Sequence, residues 1–241
     1  MRAWVHRHQL LSFFVLSYLL AYAAGFGHIA LRPGQPWHQW SAVWFLFVFS
    51  PTISAIVISW VIAGTPEVRR LLAGFTRWNV GLRWYLAAAA LLLSPLVVAL
   101  VYIALGHPVQ GLRAGWTVPL LLVQVFRELF NGPASEEAGW RGFVLPRLQT
   151  RYNALVSSLL LGVIWTFWHL PLFYLAGTAQ VSMPMPIFLL LNATLAVYLT
   201  WLYNNTRGSL IVCVLAHFSS NLAGTLIPGP LNLMPAMTFY M

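Results

Sequence analysis

The sequence predicts an all-α integral membrane protein, a bundle of seven to eight transmembrane helices with an intramembrane polar cavity. Three observations predict it. The 241 residues are 60% hydrophobic and only 7% charged, where soluble domains carry roughly 25% charged residues. Apolar runs recur at span length along the chain, and about 20 mainly apolar residues cross the hydrocarbon layer as a helix. Twelve Trp and nine Tyr are enough to furnish aromatic belts at the two membrane surfaces. No internal repeat, low-complexity tract or long linker divides the chain. Residues 1–241 therefore read as one polytopic membrane domain, with a motif-bearing core over about 118–226.

The first nine residues are polar and basic, and Leu10 to Ala30 forms the first span. Ala21-Tyr22-Ala23 resembles a signal-peptidase site after a basic start. The apolar run continues beyond it to full span length, which favours an uncleaved helix. Ala42 to Ile62 is the second span, with a kink expected at Pro51. Gly64 to Arg83 is a basic loop, Trp84 to Leu105 the third span, and Gly106 to Gly115 a short loop. Val118 to Phe130 is apolar but short. Its polar residues Gln124, Arg127 and Glu128, followed by Asn131, recur every three or four positions. They form one stripe that should face protein or a wet cavity. Asn131-Gly132-Pro133 breaks the helix, which resumes with Pro133 in its first turn. Ala154 to Leu175, Ile187 to Tyr203 and Leu210 to Leu226 complete the spans. The proline-broken tail, Ile227 to Met241, is either an eighth partial span or re-entrant.

The net charge of +9 is not a nucleic-acid signal. All thirteen basic residues are Arg, and most lie in short loops between apolar runs. That pattern sets membrane orientation and contacts lipid headgroups. With the N-terminus in the cytoplasm, ten arginines fall inside and two, Arg32 and Arg113, outside. The lysine-free composition suits a prokaryotic inner membrane. A single cysteine, Cys213, excludes an intrachain disulfide and a Cys-rich metal site. One turn before His217, it reads as a small packing residue rather than a nucleophile.

Chemistry concentrates in P-A-S-E-E-A-G-W-R-G, from Pro133 to Gly142. The chain has four acidic residues, Glu67, Glu128, Glu136 and Glu137. A carboxylate at membrane depth is expensive and marks a functional site. Glu137 and Arg141 lie one helical turn apart and can pair, a supporting role that aims Glu136. Glu136 points about 100° away from Glu137 and is free for another task. Two further spans contribute polar groups: His169 in W-T-F-W-H-L-P, and His217 with Asn221 one turn later in H-F-S-S-N. Glu136 can take a proton from water, helped by His169. His217 and Asn221 can donate to a tetrahedral oxyanion. The parts also match a divalent-metal set, with Glu136, His169 and His217 as zinc ligands and an open position for water. Each feature alone has a structural explanation: a buried His often bonds backbone, and Trp165 and Trp168 read as packing. Their conjunction points to hydrolysis of an acyl bond within the membrane. Neither H-E-x-x-H nor G-x-S-x-G is present, so zincin and serine-hydrolase readings lack their motifs.

These segments resemble, in order and spacing, the three motifs of the CAAX-protease and bacteriocin-processing family of intramembrane endopeptidases. E-E-x-x-x-R is matched by Glu136, Glu137 and Arg141, F-x-x-x-H at His169, and H-x-x-x-N by His217 and Asn221. The phenylalanine of the second motif is Trp165 here. The resemblance covers Pro133 to about Leu226. It implies a peptidase with Glu136 as general base, with His169, His217 and Asn221 positioning water and oxyanion, and with metal dependence open. The implied substrates are a lipidated protein C-terminus, a bacteriocin-related peptide or another membrane peptide, met in lipid. The competing class is a non-enzymatic membrane immunity protein or transporter on the same scaffold. One clear helix break, without a counterpart elsewhere, argues against a carrier. Oligomeric state is not readable from the sequence.

Overall fold

The computed structural model describes residues 2–38, 41–106 and 118–226. Among these residues the chain is helical and has no strand. Arg113, most of the Gly106–Gly115 loop and the Ile227–Met241 tail lie outside the described residues.

A short helix α1 (Arg2–Arg7) leads into α2 (Gln9–Leu31), which is long and apolar enough to span. The second span is broken. Helices α3 (Ala42–Val48) and α4 (Ser50–Ala63) meet at 65° across Phe49. Ser41 caps α3 by accepting from the Trp44 N–H at 3.1 Å. Pro51 stands in the first turn of α4, where its missing N–H removes nothing from the helix. An amphipathic helix α5 (Thr65–Leu72) follows. Helices α6 (Leu82–Ala90) and α7 (Ser94–Ala104), joined by a 3₁₀ turn at Leu91–Leu93, form an apolar stretch from Leu82 to Val101 that is also of span length.

The expected broken helix from Val118 to Leu148 is present, in four pieces: α8 (Val118–Phe130), α9 (Pro133–Glu137), a π-helical segment (Ala138–Val144) and α10 (Leu145–Leu148). Gly132 makes the break with φ +130°, a region essentially reserved for glycine. Along α8 the expected stripe is real, since Gln124 and Glu128 are buried and hydrogen-bonded at 2.6 Å. The remaining helices are α11 (Ala154–Trp168), α12 (Met185–Asn205) and α13 (Leu210–Leu226).

Three helices among the described residues are long and apolar enough to cross a membrane, or four if the bent α3–α4 pair counts as one span. Helices α11 and α13 are apolar but shorter. The reading of Ala154 to Leu175 as one continuous span is corrected. Helix α11 stops at Trp168, His169 is its C-cap, and Leu170–Tyr174 is a 3₁₀ turn. Pro171 is the reason, because it lacks an N–H and constrains the residue before it. Three close approaches then draw the helices together around the polar segment. A β-carbon on Gly139 would come within 2.6–2.7 Å of Pro51, one on Gly162 within 2.7 Å of the Ala193 Cα, and one on Gly25 would clash with Pro171. Phe13, Phe47, Trp140, Phe143 and Trp168 fill the core beside the π-helical segment.

Candidate active site

The broken helix places both glutamates inside. Glu136 is 4% exposed, while Glu137 and Arg141 are completely buried. An α-helix would point adjacent residues about 100° apart, so burying both requires neighbours on two sides. Helices α4 and α13 both pack against α9. The π-helical widening, of a kind frequent at functional sites, begins directly after Glu137. Trp140 donates back to Glu136 and Arg141 back to Glu137, each across four residues.

Glu137 is the orienting carboxylate. Its Oε1 accepts from Arg141 Nη1 at 2.9 Å and from His217 Nδ1 at 2.8 Å. The expected Glu137–Arg141 pair is therefore present, with a partner that spacing alone did not reveal, namely a histidine 80 residues away. His169 is held in the corresponding way by Trp165, whose carbonyl accepts from Nδ1 at 2.8 Å. A carbonyl only accepts, so Nδ1 carries the proton in His169. The ion-paired carboxylate sets the same arrangement in His217. In both rings Nε2 is the nitrogen left for water or substrate.

Glu136 is clamped on one side and open on the other. Its Oε2 accepts from two indoles, Trp165 Nε1 at 2.6 Å and Trp140 Nε1 at 3.0 Å. Its Oε1 faces Gly132. A β-carbon on Gly132 would meet Glu136 Oε1 at 3.0 Å, Asn221 Nδ2 at 3.5 Å and the His217 ring at 3.5 Å. The glycine thus leaves a small space bordered by carboxylate, amide and imidazole. Trp165 connects the remaining group. Its ring centroid lies 5.1 Å from that of His217 and 5.8 Å from that of His169, and the Arg141 guanidinium lies 4.5 Å over its face.

Glu136, His217 and Asn221 are therefore brought together directly, and His169 joins them through Trp165. The expectation that Trp165 only packs is corrected, because its indole is a hydrogen-bond donor to Glu136. The signal was the aromatic four residues before His169, but spacing does not say where an N–H points. Cys213 is buried, with its thiol against the Leu199 carbonyl at 3.7 Å. The zinc set expected from Glu136, His169 and His217 has imidazole tautomers that suit metal ligation. However, no three His, Cys, Asp or Glu side chains among the described residues gather closely enough to hold an ion.

Apolar helices around a buried carboxylate–imidazole–amide cluster define an integral membrane protein with a hydrolase-type site. Comparison with known proteins points to the same class. Residues 116–223 match the family described as type II CAAX prenyl endopeptidase, Rce1-like. Over 227 aligned positions, covering 88% of this chain and 81% of the relative, the sequence is 26% identical to CAAX prenyl protease 2 of Methanococcus maripaludis. Over its motif-bearing core the chain is thus similar to Rce1-like CAAX endopeptidases, a similarity that supports a protease.

Proposed function

We propose that this protease cleaves a peptide bond near the C-terminus of a prenylated protein, at the membrane interface, using water activated by Glu136. The observation that carries the reading is the space beside Gly132, bordered by Glu136 Oε1, Asn221 Nδ2 and His217. A water molecule there gives its proton to Oε1 as its oxygen adds to the scissile carbonyl carbon. The Asn221 amide and His217, whose ring is held by Glu137, stabilise the oxyanion. Nε2 of His169 orients the water. Collapse of the tetrahedral adduct breaks the C–N bond, and the proton held by Glu136 passes to the leaving amine. Glu137 and Arg141 support the site by fixing His217.

The activity of the archaeal relative favours a prenylated C-terminus over a bacteriocin-related peptide. The arrangement of residues 1–241 as one domain of seven to eight spans, with the N-terminus in the cytoplasm, belongs to the same proposal. Arg141 is in the buried pair and drops out of the orientation count, which leaves the cytoplasmic excess intact.

The test is cleavage of a C-terminally prenylated fluorogenic peptide by purified wild-type and Glu136→Gln protein, each with and without a strong chelator. Loss of cleavage in Glu136→Gln with an unchanged chelator arm is the expected result. Cleavage that survives Glu136→Gln sinks the mechanism. Loss of wild-type cleavage on chelation overturns the metal-free mechanism.

A further inference from the structure

We infer that Trp165 is a positioning residue that selects which oxygen of Glu136 reacts; this rests on the role proposed for Glu136. A carboxylate has two nearly equivalent oxygens and turns about its last side-chain bond. Here Trp165 Nε1 and Trp140 Nε1 both donate to Oε2. Two donors on one oxygen fix the rotation and leave Oε1 toward Gly132, Asn221 and His217. The shorter of the two bonds, 2.6 Å, is from Trp165, in the range of strong hydrogen bonds to ionised acceptors. The same residue orients a second group through its backbone, because its carbonyl holds Nδ1 of His169. Its ring contacts both the Arg141 guanidinium and the imidazole of His217. Trp165 thus touches every polar motif of the site. A phenylalanine, the residue in the pattern this segment otherwise follows, could keep the ring contacts and the carbonyl but has no N–H to give. In this chain the placement of Glu136 depends on that donor.

Two substitutions isolate the N–H. Trp165→Phe removes it with some volume. Replacement of Trp165 by 3-benzothienylalanine, in which sulfur stands for the N–H, removes it at constant shape. Both should lower kcat on the prenylated peptide by roughly tenfold to a hundredfold, the scale of a hydrogen bond to a charged group. KM should stay within about twofold, and for the isostere the melting temperature should not move. Independently of turnover, the indole ¹H–¹⁵N resonance of Trp165 should lie downfield in the wild type and shift upfield in Glu136→Ala. An isostere with wild-type kcat, or a Trp165 resonance indifferent to Glu136→Ala, overturns the inference. Glu136→Gln distinguishes the two failures, since cleavage surviving in that variant removes the base itself.

A different observation carries a second proposal. The geometry points to a phosphate-ester site in a cavity of about 220 Å³, lined by Arg70, Arg77, Arg147, Tyr203, Glu67 and Gly208, among others. Arg147 is committed to Gln9, Glu67 and the Phe143 carbonyl, so it lends charge. Arg70 bonds Glu67, and Arg77 bonds the Arg207 carbonyl, each through one of its five donors. Gly208, with φ +78°, brings Arg77 and Tyr203 together. A β-carbon there would lie 2.6 Å from Arg77 Nη1 and 3.2 Å from the Tyr203 hydroxyl. Three guanidiniums facing one carboxylate leave an excess positive charge beside a phenol donor, and basic pockets between membrane helices bind lipid phosphates. Native mass spectrometry of the full-length protein should show phosphatidylglycerol retained over phosphatidylcholine by about tenfold, with the preference lost in Arg70→Gln/Arg77→Gln. Displacement of phosphatidylglycerol by millimolar inorganic phosphate assigns the site to soluble phosphate, and resistance to displacement assigns it to the lipid. Equal retention of both lipids overturns the proposal, as does a preference that persists in the double variant.

Discussion

Glu137 and Glu67 both hold arginines, and they do so in opposite surroundings. Glu137 and Arg141 are completely buried and 2.9 Å apart, Glu137 at the end of α9 and Arg141 in the π-helical segment that follows. Glu67, in the first turn of α5, pairs with Arg70 at 2.6 Å and Arg147 at 3.2 Å, and the Arg70 side chain is 70% exposed. The buried pair is poorly satisfied. Glu137 Oε2 and both Nε and Nη2 of Arg141 have no protein partner among the described residues. Such a pair gains little stability over an apolar replacement, so its presence needs another reason. That reason is His217, which shares the same carboxylate oxygen. At Glu67 the pair joins α5 to the end of the broken helix and reaches no imidazole. The contrast teaches that burial alone does not make an ion pair a fold-holding device. The buried one is organised for the site, the half-exposed one for the seam between helices.

The comparison breaks most visibly at Arg141. Arg141→Ala leaves Glu137 buried without its counter-charge, which should cost about 3–5 kcal/mol and abolish cleavage. Thermal or denaturant unfolding in detergent, read beside the prenyl-peptide assay, checks both. A stable, active variant would mean that Arg141 is dispensable to the cluster.

Replacing both partners sharpens the point. Glu137→Leu with Arg141→Met swaps the pair for apolar groups of similar volume. Stability should return to within about 1–2 kcal/mol of wild type, as other buried pairs do. Activity should stay lost, because His217 Nδ1 no longer has its acceptor. Restored activity would show that Glu137 is not what orients the imidazole.

Much of this architecture was legible in the chain. The Val118–Leu148 helix followed from the apolar run broken at Gly132 and Pro133, and the Glu137–Arg141 pair from its spacing. Sequence spacing reports neighbours on one helix. It does not report that Glu137 meets His217, nor that Trp140 and Trp165 both donate to Glu136. Those are relations between helices, set by how closely Gly139 approaches Pro51 and Gly162 approaches Ala193. The apolar run to Leu175 predicts a longer α11, whereas backbone sterics at Pro171 stop the helix at Trp168. Apolar length predicts seven to eight spans; among the described residues three helices, or four with the bent α3–α4 pair, have span length, and the α8–α10 segment is divided at Gly132.

The smallest effect belongs to Glu67. Exposed and half-exposed pairs contribute roughly 0–1 kcal/mol, so Glu67→Gln should shift stability by no more than that and leave cleavage intact. The pH dependence has a definite sign. Burial raises the pKa of the Glu67 carboxyl, but hydrogen bonds and charge from Arg70 and Arg147 outweigh it and hold the group below its ordinary value near 4.5. A depressed carboxyl contributes stability above its unfolded value and loses it as pH falls through the folded one. The difference between wild type and Glu67→Gln should therefore be fully present at neutral pH and fade below about pH 4.5. It should also shrink in molar salt, because exposed charges are screened, while the Arg141→Ala penalty should not. Equal salt sensitivity in the two variants would erase the distinction between the pairs.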